Sequence, residues 1–223
     1  MRSDSALRAA IRRAMHKRLE EKPAIGAYHV DARSMLRRLR AVTTLCKPSD
    51  RVLFVGDDDL ASLALHHIGF ANLTVIDIDR DLLGVLARET RDRVHTMPYD
   101  LRSVYDGKWP KISGGFSLFV TDPPYGADGL RVFSAVGLRS LAVGGHGLIA
   151  TPERRAAVTR VGDPEQLTHS LQSFLLQSGA VIQRVESGAA RSYHGTVASV
   201  LWVKKIKRCA PDLAALTGPR AFY

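Results

Sequence analysis

Residues 51–79 read RVLFVGDDDLASLALHHIGFANLTVIDID, and this stretch decides the fold. Val52 to Val55 is a short apolar run closed by Gly56. Leu60 to Ile68 has helical periodicity and ends at Gly69, and Leu73 to Ile78 is a second apolar run. Short continuous apolar runs on either side of one helix read as parallel strands covered on both faces, which have no polar side to present. Working outward, the alternation continues: a helix from about Arg80 to Asp92, strands at Val94–Met97 and Phe116–Thr121, a helix from about Gly129 to Val143, a run at Gly147–Ala150, and a helix from Asp163 to about Ser178. Two late strands, Val181–Val185 and Val197–Val203, flank a turn region from Glu186 to Gly195 and predict an antiparallel hairpin at the sheet edge. The expected fold is α/β: a mainly parallel, doubly wound sheet with helices on both faces.

Upstream of this unit, Leu7, Ala10, Ile11, Met15 and Leu19 recur at helical steps among Arg and Lys. A break from Lys22-Pro23 to Gly26 precedes a second helix from about Asp31 to Leu45, with Met35, Leu36, Leu39 and Val42 on one face. Residues 1–49 are expected to form a basic helical appendage, 50–205 the α/β domain and 206–223 a tail. The chain has 223 residues and a net charge of +10, a value that invites a nucleic-acid partner. The charge is not evenly spread: Met1 to Arg51 carries +8, Val52 to Val203 carries −2 and Lys204 to Tyr223 carries +4. The basic character belongs to the ends, and the middle need not bind an anion. No long apolar run predicts a spanning helix or a membrane partner. Two cysteines, Cys46 and Cys209, are too few for a disulfide framework and fit a cytoplasmic protein. The histidines show no ligand spacing with cysteine, so no metal is expected.

In a doubly wound sheet, ligands sit at the carboxyl ends of the strands. The exits here are Val55-Gly56-Asp57-Asp58-Asp59, Ile76-Asp77-Ile78-Asp79, Tyr99-Asp100-Leu101 and Thr121-Asp122-Pro123-Pro124-Tyr125. Each delivers at least one carboxylate to one rim. Asp77 lies 21 residues after Gly56, near the spacing of about 20 at which an acidic residue binds ribose hydroxyls. Asp79 is a second candidate, with capping of the next helix as the plainer role for both. A nucleoside-containing ligand is implied. The first turn puts Asp57, Asp58 and Asp59 where a phosphate-binding loop has glycines, and carboxylates repel phosphate. A cationic nucleoside without phosphate fits, and S-adenosylmethionine is one. Its decarboxylated form fits better, because it has lost its only carboxylate. At the fourth exit consecutive prolines stiffen the backbone that carries Asp122 and Tyr125. Asp122 can hold an amine and take its proton, and Tyr125 can stack on a base or cover a cation.

The VGDDDL turn, the VIDID strand end, the YDLR segment and the TDPPYGADGLRVF segment together resemble the catalytic domain of the branched-chain polyamine synthases. DPPY alone also occurs in amino-methyltransferases that act on nucleic acids. The resemblance implies a Rossmann-like class I methyltransferase fold that moves an aminopropyl group from decarboxylated S-adenosylmethionine to an amine of a polyamine such as spermidine. It implies Asp58, Asp122 and Tyr125 as catalytic residues, and Gly56, Asp57, Asp59, Asp77, Asp79 and Asp100 as the residues that hold the donor.

Two other readings stand beside this one. One is a methyltransferase using ordinary S-adenosylmethionine on a base amino group, with the basic N-terminal helices holding nucleic acid. The other is a basic-armed nucleic-acid-binding module without catalysis. Arg191, Tyr193 and His194 in the late hairpin are candidates for a substrate-covering loop, with a solvated turn as the plainer account. A homo-oligomer is compatible with the sequence.

Overall fold

The computed structural model describes residues 3–153, 163–192, 197–208, 211 and 213. Helix α1 (Asp4–Met15) starts at Ser3, whose hydroxyl accepts from the Ala6 amide, and α2 (Ala32–Leu45) starts at Asp31, whose carboxylate accepts from the Ser34 amide. The alternating unit follows: β1 (Arg51–Val55), α3 (Ala61–His67), β2 (Asn72–Asp77), α4 (Arg80–Thr90), β3 (His95–Pro98), β4 (Phe116–Thr121), α5 (Ala127–Ser140), β5 (Leu141–Pro152), α6 (Pro164–Gln177), β6 (Ala180–Arg191) and β7 (Val197–Lys205).

The seven strands lie in the order β3-β2-β1-β4-β5-β7-β6. The first five are parallel, and β7 runs antiparallel between β5 and β6. The hairpin is therefore antiparallel, as expected, but its last strand inserts inward and β6 forms the edge. Its strands are also longer than the apolar runs. Part of the expected turn, from Glu186 to Arg191, pairs as strand, while Tyr193 and His194 lie outside the described residues. The end of β6 is held from the N-terminal side: the Asp31 amide donates to the Arg191 carbonyl at 2.9 Å, and the Arg191 amide donates to Ser34 Oγ at 2.8 Å.

Alternation along β1 explains why both faces are covered. Val52 and Phe54 join one core with α1 to α4, while Leu53 and Val55 join the other with α5 and α6. Residues 1–49 were expected to be an appendage, and the structure corrects this. Leu7, Ala10, Ile11, Ala14, Met35, Leu36, Leu39 and Val42 are all buried in the same core as Phe54 and Val75. The apolar stripes of two amphipathic helices have to be covered, and here they cover one face of the sheet.

Chain order reverses between β1 and β4, the point where a doubly wound sheet opens a crevice. Val55 pairs with Ile76 on one side and Thr121 on the other, so the next residues, Gly56, Asp77 and Asp122, leave the sheet side by side.

Candidate active site

Gly56 turns the chain out of β1 with φ +76°, and a Cβ there would come within 3.2 Å of the Phe133 ring. Only glycine fits without strain. The three aspartates that follow have three different fates. Asp57 accepts from the Ala61 and Ser62 amides at 2.9 and 3.0 Å and caps α3. Asp59 is fully buried and is enclosed by the N-terminal segment. Arg18 Nη2 donates to it at 2.7 Å, Arg38 Nη1 at 2.9 Å and the Val30 amide at 2.9 Å. Asp58, between them, receives no hydrogen bond or ion pair from any described residue, and it faces a cleft.

That cleft encloses about 570 Å³ including its open mouth. Asp58, Asp77 and Asp122 line it together with an apolar wall that includes Ile78, Tyr99, Leu101 and Phe133. A second recess, of about 280 Å³ including its mouth, shares Asp58 and Asp79 with the first and is lined also by Glu20, His29 and Leu60. Asp58 thus borders both cavities.

The structure brings Asp58, Asp77, Asp122 and Tyr125 together and gives the remaining predicted residues other work. Asp77 accepts from the Asp57 and Asp79 amides at 3.1 and 2.9 Å, with its carboxylate in the cleft wall. Asp79 also lines the cleft, but it caps α4 and pairs with Lys22 at 2.8 Å. Asp100 caps a short 3-10 turn, Leu101–Asp106, and pairs with Arg102 at 2.7 Å. Its neighbours Tyr99 and Leu101 are the residues that face the cleft. Tyr125 Oη donates to Asp122 Oδ1 at 3.1 Å, and Arg38 Nη2 donates to Asp122 Oδ2 at 2.7 Å.

Arg18, Lys22 and Arg38 are the residues of the site that composition concealed, as ion-pair partners of its carboxylates. All the cations that pair with Asp59, Asp79 and Asp122 among the described residues come from the N-terminal segment. A signal for two of them is present in the sequence. Arg18 lies just beyond α1, at helical spacing after the buried Ile11 and Ala14 in the sequence. Arg38 is flanked at helical spacing by Ser34, Met35, Ala41 and Val42, all buried. An arginine that continues an apolar stripe needs a buried partner.

Electrostatics follow from this crowding. Burial pushes Asp57 up to about 7, against its amide hydrogen bonds. Burial also holds Asp58 well above the usual carboxylate range, with Asp59 and Asp122 adding repulsion and Arg38 opposing it. Asp77 and Asp122 are raised mainly by burial. Asp58, which has no ion-pair partner among the described residues, is the rim carboxylate that gains most from a cation carried by a ligand.

Together, the reversed strand order and a cleft with an acidic rim at the switch point define a Rossmann-like fold of the class I methyltransferase type. The similarities to known proteins agree. A candidate RNA methyltransferase from Pyrococcus horikoshii shares the fold at TM-score 0.64, with 12% identity over 92% of this chain and 98% of that one. A Thermus thermophilus branched-chain polyamine synthase, crystallised with N4-aminopropylspermidine and 5′-methylthioadenosine, aligns at TM-score 0.75 with 22% identity over 96% of this chain and 67% of that one. An engineered form of it aligns at 0.77. An uncharacterised protein of Methanocaldococcus jannaschii is 35% identical over 95 residues, 41% of this chain and 24% of that protein. Residues 12–198 match the family of the branched-chain polyamine synthase A C-terminal domain. The chain belongs to that family, a family of transferases.

Proposed function

We propose that the protein transfers an aminopropyl group from decarboxylated S-adenosylmethionine to an amine of a polyamine such as spermidine. The observation that carries this reading is the uncompensated carboxylate of Asp58 between two cavities. In this arrangement the larger cleft takes the donor. Its apolar wall covers the base, Asp77 accepts from the ribose hydroxyls, and Asp58 and Asp122 face the aminopropyl end. The smaller recess lets the acceptor reach Asp58.

The acceptor nitrogen arrives as an ammonium. One proton passes to Asp58, whose raised affinity for protons suits it to act as a base near neutral pH. The freed lone pair attacks the aminopropyl carbon bonded to the sulfonium. A C–N bond forms as the C–S bond breaks, and the electron pair stays on sulfur in 5′-methylthioadenosine. Asp122 accepts a hydrogen bond from the amine and fixes its direction of attack.

The preference for the decarboxylated donor rests on charge. Ordinary S-adenosylmethionine would bring its carboxylate toward Asp58. The two guanidiniums that could receive it are already paired with Asp59 and Asp122. The test is to supply each donor with spermidine and follow 5′-methylthioadenosine release and product mass. Release from the decarboxylated donor alone is expected. Methyl transfer from the ordinary donor to a nucleic acid, with no polyamine product, would establish the alternative. That alternative draws on the basic N-terminal segment, yet Arg18, Lys22 and Arg38 of that segment turn inward to the rim carboxylates.

A further inference from the structure

We propose that Arg38 is a positioning residue for aminopropyl transfer: by bridging Asp59 and Asp122 it fixes Asp122 as an ionised acceptor for the incoming amine and leaves Asp58 as the carboxylate that changes protonation. The inference rests on the proposed function and assigns different tasks to its two carboxylates.

The backbone around Asp122 explains why an arginine is needed. Asp57, Asp77 and Asp79 each take amide hydrogen bonds from the residues that follow or face them. Asp122 is followed by Pro123 and Pro124, which have no N–H to give. A carboxylate in a buried setting without amide donors tends to take up a proton, because burial disfavours its charge. Arg38 Nη2 at 2.7 Å and Tyr125 Oη at 3.1 Å replace the missing amides, one on each oxygen of Asp122. The side chain is thereby held in one orientation. The proline pair and the arginine form one device, although they lie 84 residues apart.

Charge counting separates the two carboxylates. Asp59 and Asp122 carry two negative charges, and Arg18 and Arg38 carry two positive ones. The four groups form a closed neutral network through contacts of 2.7 to 2.9 Å. Asp58 stands outside it and faces Asp59, Asp77 and Asp122 from three strand exits, with Arg38 as the attractive charge closest to balancing them. His29, on the leader, faces Arg18, Asp59 and Glu21, and burial lowers its proton affinity, so it adds no fixed positive charge there. The proton therefore moves on Asp58, and the geometry is kept by Asp122. A lysine would bring the charge on a single nitrogen and could not reproduce the two-pronged geometry in which Nη1 holds Asp59 and Nη2 holds Asp122.

The experiment is a pH profile of kcat and kcat/KM for the wild type, Arg38→Gln and Arg38→Lys, from about pH 5 to pH 9. Removal of the guanidinium lets Asp122 and Asp58 compete for a proton. The acidic limb of Arg38→Gln is expected to move up by about one unit or more. Its kcat is expected to fall at least about 100-fold, with the donor KM changed less than about threefold. Arg38→Lys is expected to recover part of kcat. An Arg38→Gln profile that overlays the wild type would overturn the proposal even if activity were lower, because a merely structural role lowers activity without moving the limb. If the variants do not fold, the carboxyl carbons of Asp58 and Asp122 are titrated in the wild type by NMR, assigned with Asp58→Asn and Asp122→Asn. Asp122 is expected to titrate below Asp58, and the reverse order overturns the assignment. Wild-type protein without polyamine turnover would refute the proposed function instead, and the order of titration would still decide the role of Arg38.

Discussion

Arg18 Nη2 lies 2.7 Å from Asp59 Oδ1, and this ion pair, with side chains 6% and 0% exposed, joins the segment that follows α1 to the first strand exit. Breaking a buried pair leaves a charge without its partner, at a cost of about 3–5 kcal/mol. Arg38 still holds Asp59 when Arg18 is removed, so the lower end applies. Arg18→Met is expected to lower unfolding free energy by about 3 kcal/mol in denaturant titration. A loss below about 0.5 kcal/mol, the level of a surface pair, would show that the N-terminal segment is not locked to the rim.

Asp58 and Asp59 are adjacent in sequence and opposite in their expected behaviour. Asp58→Asn removes a charge that its neighbours repel, so thermal stability is expected to stay level or rise. Turnover is expected to fall at least about 100-fold, since the proposed base is gone. Asp59→Asn leaves the buried Arg18 without its carboxylate and Arg38 with Asp122 alone, and is expected to destabilise by about 3 kcal/mol. Paired melting curves and product assays distinguish the two outcomes. Full activity in Asp58→Asn would refute its role as the base.

That contrast also marks the boundary of what the residues alone disclosed. The sheet was legible because strands covered on both faces are written as uninterrupted apolar runs such as Val52–Val55. Aligned exits then made Asp58, Asp77 and Asp122 legible, and strand register sets Gly56, Asp77 and Asp122 at one level. The roles of Asp57, Asp79 and Asp100 were not separable, because capping and ligand binding call for the same residue at the same kind of position. Arg18 and Arg38 stood among thirteen basic residues in the first 51. Their partners are fixed by tertiary packing, and only their place on buried stripes set them apart. The length of β6 was hidden for a similar reason: residues 186–191 have little apolar character, and pairing with β7 and the Asp31–Ser34 segment keeps them extended.

Stability is expected to fall as pH rises from about 4 to about 7. Asp57 goes from an ordinary value of 3.8 up to about 7 on folding, through burial, and Asp58 is raised as well. The native state thus binds more protons than the unfolded chain within that window. The stabilisation is complete below the unfolded value and lost as pH passes the folded one. Asp100, lowered by its hydrogen bonds with Arg102, acts in the opposite sense only below about pH 4, while His29, His66, His67 and His146, lowered by burial from 6.5, offset part of the fall within the window. A loss on the order of 3 kcal/mol corresponds to a melting temperature roughly 10 °C lower at pH 8 than at pH 5. Spermidine is expected to narrow this gap, because an ammonium beside Asp58 favours the ionised form. Melting temperatures that are flat or rising over the same range would contradict this account.

The Phe119 ring, fully buried in β4, fits only because glycines face it from two sides. A Cβ on Gly137 of α5 would fall 2.3 Å from the ring, and one on Gly147 of β5 would fall 2.4 Å away. Alanine is the better helix former by about 1 kcal/mol, which taken alone makes Gly137→Ala stabilising. The ring has little room to retreat, since the Gly147 backbone also lies close against it, and overpacking a tight core costs about 1–3 kcal/mol. The clash outweighs propensity, and a net loss of about 2 kcal/mol is expected. Phe119→Leu in the same background opens space beside Gly137. The double variant is therefore expected to lose less than the sum of the two single losses, a coupling of at least about 0.5 kcal/mol in a denaturation cycle. Strict additivity would show that helix α5 can slide away from the sheet, and that the packing behind the Asp122 turn is looser than these distances imply.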